Sequence, residues 1–151
     1  MQRNTMWSVF GTDSHKEIHG VYVEYPGGIR VLLARAGGRN ERYAKYHEIH
    51  MRPHRQAAKI PGGLSDKVQR DVIAKVYLDS VILKFETNVG TEEVPNWKNV
   101  IVLESGDEVQ ANKEELTNLF TRLPDLLLQI ISDANDIQLY RKAELEDEAK
   151  N

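Results

Sequence analysis

The sequence predicts an α+β fold, predominantly helical, in which an N-terminal β-hairpin leads into a helical bundle with a candidate second small hairpin. Three observations predict it. Val21-Tyr22-Val23-Glu24-Tyr25 and Ile29 to Ala34 are β-branched, aromatic and apolar runs separated by the turn residues Pro26-Gly27-Gly28. From Asn40 onward apolar residues recur at helical spacing behind capping residues. Two further short runs, Val100 to Leu103 and Glu108 to Ala111, flank the turn residues Glu104-Ser105-Gly106-Asp107 and read as the second hairpin.

Residues 1–19, with Asn4, Thr5, Gly11, Thr12, Asp13 and Ser14, read as a flexible arm or a short edge strand around Met6 to Phe10. A single globular domain is expected over residues 20–140, followed by an acidic, frayed tail over 141–151. After the first hairpin, Arg35-Ala36-Gly37-Gly38-Arg39 breaks the strand. Asn40 is placed to cap a helix whose first turn holds Glu41, where a negative charge suits the helix dipole. That helix carries Tyr43, Tyr46, His47 and His50 and kinks or stops at Pro53, which lacks a backbone donor. A short helical piece over His54 to Ile60 ends at Pro61-Gly62-Gly63. Ser65 then caps a long helix carrying Val68, Val72, Val76 and Tyr77, expected to run to about Phe85.

Asn88 to Asn99 reads as a loop that Trp97 anchors. Asn112 followed by Glu115 resembles a capping box and starts a helix with Leu116, Leu119, Phe120 and Leu123. Pro124 suits the first position of a last helix. Its apolar stripe is Leu127, Ile130, Ile131, Ala134 and Ile137, and it is expected to continue, acidic, through Leu145.

Composition narrows the function. The chain has 151 residues, is 40% hydrophobic, has no cysteine and carries a net charge of -3. Disulfides, thiolate metal sites and cysteine nucleophiles are thereby excluded, and no apolar run reaches the roughly 18 residues of a membrane span. Nor does Met1 to Phe10 carry the apolar region of a signal peptide, so an intracellular protein is expected. The charge is uneven: Arg39, Arg42, Lys45, Arg52, Arg55 and Lys59 face only Glu41 and Glu48, whereas Glu144, Glu146, Asp147 and Glu148 crowd the end. Such polarity suits head-to-tail self-association, an oppositely charged partner, or simply two solvated faces.

His47, His50 and His54 lie three and four apart around Glu48, but His-Glu-Ile-His is not the zincin order and Pro53 disturbs the turn, so packing or surface histidines are expected and no metal. The glycine pairs lack the lysine and hydroxyl residue of a phosphate-binding loop, and no serine has a nucleophile-elbow context. No cofactor and no catalysis are expected. Nucleic-acid binding would rest on Arg39 to Lys59, where tyrosines and histidines interleave with cations, but the sequence pI near 6.0 argues against it.

Taken in order, several pieces resemble the tail assembly chaperones of long-tailed bacteriophages, in their short, non-frameshifted form. These are Gly20-Val21-Tyr22-Val23-Glu24-Tyr25-Pro26, Leu33-Ala34-Arg35-Ala36-Gly37-Gly38 with Asn40 and Tyr43, and Lys75 to Leu83 as a helix. Leu123-Pro124-Asp125-Leu126 and the acidic ending Glu144 to Asn151 follow. Where related chains carry a tryptophan and glycine after this helix, the chain has Lys84-Phe85-Glu86. Ala149-Lys150-Asn151 can be encoded GCA-AAA-AAC, which contains the slippery heptamer A-AAA-AAC of a programmed frameshift.

The resemblance implies a non-enzymatic assembly factor in the host bacterial cytoplasm, absent from the mature virion. It would bind the tape measure protein, keep it soluble and help recruit major tail tube subunits. The expected grips are Leu126, Leu127, Ile130 and Ile137 on the last helix, with Arg39, Arg42 and Lys45 as a second surface. Apolar stripes of this kind are usually core. Two alternatives stay open: a structural neck or tail-completion protein retained in the virion, and a small nucleic-acid-binding regulator.

Overall fold

The computed structural model describes residues 5–142. The expected hairpin forms: β1 (Val21–Tyr25) and β2 (Ile29–Leu33) pair antiparallel with Tyr25 opposite Ile29 across Pro26-Gly27-Gly28. Both glycines take positive φ, 100° and 75°, which the three-residue turn requires.

The arm before it is helical. α1 (Met6–Phe10) and α2 (Ser14–His19) replace the expected edge strand around Met6 to Phe10, because side-chain caps start each turn. Thr5 and Ser8 form a reciprocal capping box, and the Asp13 carboxylate accepts from the amides of His15 and Lys16.

α3 (Glu41–Met51) begins where expected, but Asn40 does not cap it. Its buried side chain instead donates to the carbonyls of Arg35 at 2.8 Å and Ser80 at 2.9 Å. Pro53 converts the helix end to a 3-10 turn over Arg52–His54, followed by the single turn α4 (Arg55–Ala58). Ser65 accepts from the Val68 amide and starts α5 (Asp66–Ser80).

The expectation that this helix runs to about Phe85, and that Lys75 to Leu83 is wholly helical, is corrected. α5 ends at Ser80, and β3 (Ile82–Asn88) follows after one residue. The β-branched pair Val81-Ile82 suits an extended backbone, and β3 pairs antiparallel along the whole of β2, which buries Ile82, Phe85 and Thr87 on one face. The loop expected over Asn88 to Asn99 holds the two-residue strand β4 (Trp97–Lys98), which completes a four-stranded sheet in the order β1-β2-β3-β4. β5 (Val100–Val102) and β6 (Glu108–Gln110) form the second hairpin, tied to the sheet by the Thr87 hydroxyl donating to the Val100 carbonyl at 2.7 Å.

Asn112 accepts from the Glu115 amide and starts α6 (Lys113–Arg122). Pro124 holds the first position of α7 (Pro124–Ala134), and the residue before it, Leu123, is pushed out of helical geometry as a pre-proline residue. α7 does not continue through Leu145. Asn135 and Asp136 leave the helix, and the Asp136 carboxylate accepts from the Gln138 amide to start a 3-10 turn, Ile137–Tyr140. Glu144 to Asn151, with the rest of the expected acidic tail beyond Lys142, lie outside the described residues.

One core joins these elements. Val31, Leu33, Ile82 and Phe85 of the sheet pack with Tyr77 and Leu78 of α5, Leu116 and Phe120 of α6, and Leu127, Ile130 and Ala134 of α7. At about 1.5–3 kcal/mol per large apolar side chain, this layer is the main source of stability. Tyr140, fully buried, closes the base by donating to the carbonyls of Ala34 at 3.0 Å and Leu33 at 3.3 Å.

Candidate functional site

The sharp turn at Leu123-Pro124 folds α7 back beside α6, and the two helices face the first half of α5 across a groove. A groove of about 740 Å³ opens between the three helices. Ile73, Phe120, Leu127, Leu128 and Ile131 give it an apolar floor, and Asp66, Lys67, Arg70, Asp71 and Asp125 give it a charged rim. A second groove, about 520 Å³, runs on the other side of α6 between Leu119, Leu123 and the β5 residues Ile101 and Val102, with the Arg122–Glu104 ion pair at its edge at 3.1 Å. An apolar floor between charged rims is what an amphipathic helix of a partner fits.

The expected grips divide. Leu127 lines the first groove, though only 6% exposed. Leu126 is half-buried against the core, and Ile130 is wholly inside it, out of a partner's reach. Ile137 is not on the α7 stripe, because the helix has ended and the residue sits in the following 3-10 turn. Sequence reasoning missed Leu123 and Leu128, which are 53% and 61% exposed. A signal for Leu128 existed: three consecutive leucines at 100° per residue cannot all face one core.

At and just before the start of α3 the three expected cations also differ. Arg39 and Lys45 are exposed and form no ion pair among the described residues, and Lys45 lies 5.6 Å over the Tyr46 ring. Arg42 is tied down, its guanidinium donating to Asn40 Oδ1 at 3.0 Å and to the Ile18 carbonyl at 2.5 Å. Further along, Arg52 and Arg55 both pair with Glu48.

Two of the three candidate histidines, His47 and His50, have side-chain neighbours. His50 Nε2 lies 2.5 Å from Asp79 Oδ2, the other Asp79 oxygen takes Lys113, and His47 sits beside the Tyr43 ring. Burial alone would raise the Asp79 pKa, but the hydrogen bonds from Lys113 and His50 outweigh it and hold the carboxyl below its ordinary value. Among the described residues no group of three or more His, Cys, Asp or Glu is placed to hold a metal ion.

The two surfaces are separate. α3 rests on the second half of α5, with Tyr43 edge-on to Tyr77 at 5.8 Å and His50 on Asp79, whereas the groove follows Asp66 to Ala74. Among the described residues no helix is long and apolar enough to cross a membrane.

A family model described as YdaY prophage protein matches residues 39–151, which takes in α3 and every later element but not the first hairpin. No curated protein and no solved structure matches the chain.

Proposed function

The chain belongs to the YdaY prophage protein family, and from that premise we propose that it is a non-enzymatic assembly factor of phage tails, a chaperone for the tape measure protein. The observation that carries this reading is the groove between α5, α6 and α7, with Leu128 of its apolar lining standing 61% exposed. An amphipathic helix laid into it would bury Leu128 and Ile131 while its polar face met the charged rim. A long helical protein with repeated apolar stripes aggregates through those stripes, and covering them in turn keeps it soluble.

Arg39 and Lys45 offer a second, charged surface, for an acidic segment of the same partner or of a tail tube subunit. The protein would act in the host cytoplasm and leave before the particle is finished. Mass spectrometry of purified particles tests the role: the chaperone reading expects the chain in infected-cell lysate and not in virions. Stoichiometric presence in virions overturns it in favour of a structural neck or tail-completion protein.

A further inference from the structure

The first strand of the sheet has an open side. The order β1-β2-β3-β4 leaves Val21–Tyr25 paired with β2 alone. Alternate residues of such a strand turn their N–H and C=O groups outward, and among the described residues no backbone group of Val21 to Tyr25 bonds anything but β2. Edges of this kind are ordinarily blunted by lysine, proline or a bulge. β1 has none of the three: it reads Val-Tyr-Val-Glu-Tyr, and its register with β2 is unbroken, the shift at Leu32/Leu33 lying between β2 and β3.

The strand is complementary to itself. Laid antiparallel on a second copy about Val23, it sets Val23 against the partner's Val23, Val21 against the partner's Tyr25, and Tyr22 against the partner's Glu24. Each pair keeps to one face of the sheet, the half-buried Val21 and Val23 on the core side and the exposed Tyr22 and Glu24 on the other. Arg30 supplies a matching charge. Its guanidinium lies 4.5 Å over the Tyr22 ring and gives only Nε to Glu86, at 3.1 Å, which leaves its Nη groups for the carboxylate that arrives opposite Tyr22. We infer that two copies of the chain pair through β1, antiparallel about Val23, and join their sheets across a two-fold axis.

The neighbouring registers are worse. A shift of two residues one way sets Glu24 against the partner's Glu24, like charges directly opposite. The same shift the other way pairs only Val21, Tyr22 and Val23 and carries Glu24 past the end of the strand. Five residues a side cover less than the roughly 1,600 Å² of a standard interface, so association is expected at micromolar rather than nanomolar concentration. The pairing uses no residue that lines the groove of α5, α6 and α7, and it does not rest on the tail-assembly reading. A dimer carries two such grooves, and a partner with repeated sites is then held bivalently.

The chain has no cysteine, so a single introduced one reports the register. Directly opposite residues lie about 4.5–5.5 Å apart between Cα atoms, within disulfide reach, whereas Tyr22 and the partner's Tyr22 would lie about 8 Å apart, beyond it. Under mild oxidation at micromolar concentration, Val23→Cys is expected to cross-link faster than the exposed loop control Glu93→Cys. Tyr22→Cys and Glu24→Cys are expected to cross-link poorly alone and well when mixed. Sedimentation of the natural chain, which decides even where Val23→Cys does not fold, is expected to show a monomer–dimer equilibrium. Glu24→Lys, at an exposed position with no ion pair among the described residues, should weaken it about tenfold by setting a cation against Arg30, and leave the melting temperature unchanged. A natural chain that stays monomeric through the micromolar range, a folded Val23→Cys that cross-links no faster than the control, or a dimer indifferent to Glu24→Lys each overturn the proposal.

Discussion

The side-chain amide of Asn40 donates to the carbonyl oxygen of Ser80 over 2.9 Å, inside the protein, and thereby ties the entry of α3 to the exit of α5. The same nitrogen bonds the Arg35 carbonyl at 2.8 Å, so one residue serves two backbone groups that no strand or helix satisfies. Asn40→Ala leaves both carbonyls unpaired and is expected to cost about 2–4 kcal/mol. Asn40→Asp, which cannot donate, does no better. Urea denaturation checks both.

Leu128 and Ile130, two residues apart on α7, are expected to respond oppositely to substitution. Ile130 is fully buried, and Ile130→Ala should lose about 2–5 kcal/mol. Leu128→Asp touches an exposed position and should change stability by no more than about 0.5 kcal/mol. If the groove is the grip, Leu128→Asp loses the partner while keeping its melting temperature; thermal melts beside a pull-down read both.

Stability should fall in acid through Asp79. Its folded pKa lies below the ordinary 3.8, so its contribution is full above that value and is lost as pH falls through the folded one. Asp79→Asn removes this dependence together with the charge on which His50 of α3 and Lys113 of α6 both end. Urea midpoints of the two proteins should draw together as pH is lowered from neutrality past the ordinary Asp value and on through the lower folded one.

Alkali should act through three buried tyrosines. Burial raises the Tyr77 hydroxyl to about 12. Tyr25 is pushed higher by burial and by its bond to Asp133, and Tyr140 chiefly by burial. A folded pKa above the unfolded one gives stability that is whole below about pH 10 and drains away as pH climbs toward the folded values. The tyrosinate absorbance of these three is expected to rise together with the loss of circular dichroism.

Much of the fold was legible where local chemistry and tertiary packing agree. Pro26-Gly27-Gly28 between apolar runs, Ser65 before α5, Asn112 before α6 and Pro124 at the start of α7 each mark the boundary that forms. β3 was not legible, because Val76 to Leu83 is apolar except for Asp79 and Ser80 and holds no glycine or proline to divide it, so both periods fit. Its alternation Phe85, Thr87 and the open edge of β2 decide it, and the second of these is a tertiary fact. The same limit applies to the groove: periodicity finds the stripe of α7, but only the placement of α5 and α6 separates Ile130, inside, from Leu128, outside.

The central claim is that this chain holds a long helical tail protein through the groove of α5, α6 and α7. Co-expression with a phage tape measure protein tests it most directly. The account predicts that the partner becomes soluble and co-purifies with the natural chain, and stays insoluble with a folded Leu128→Asp variant. A partner that remains insoluble with both, or that is rescued equally by both, contradicts it.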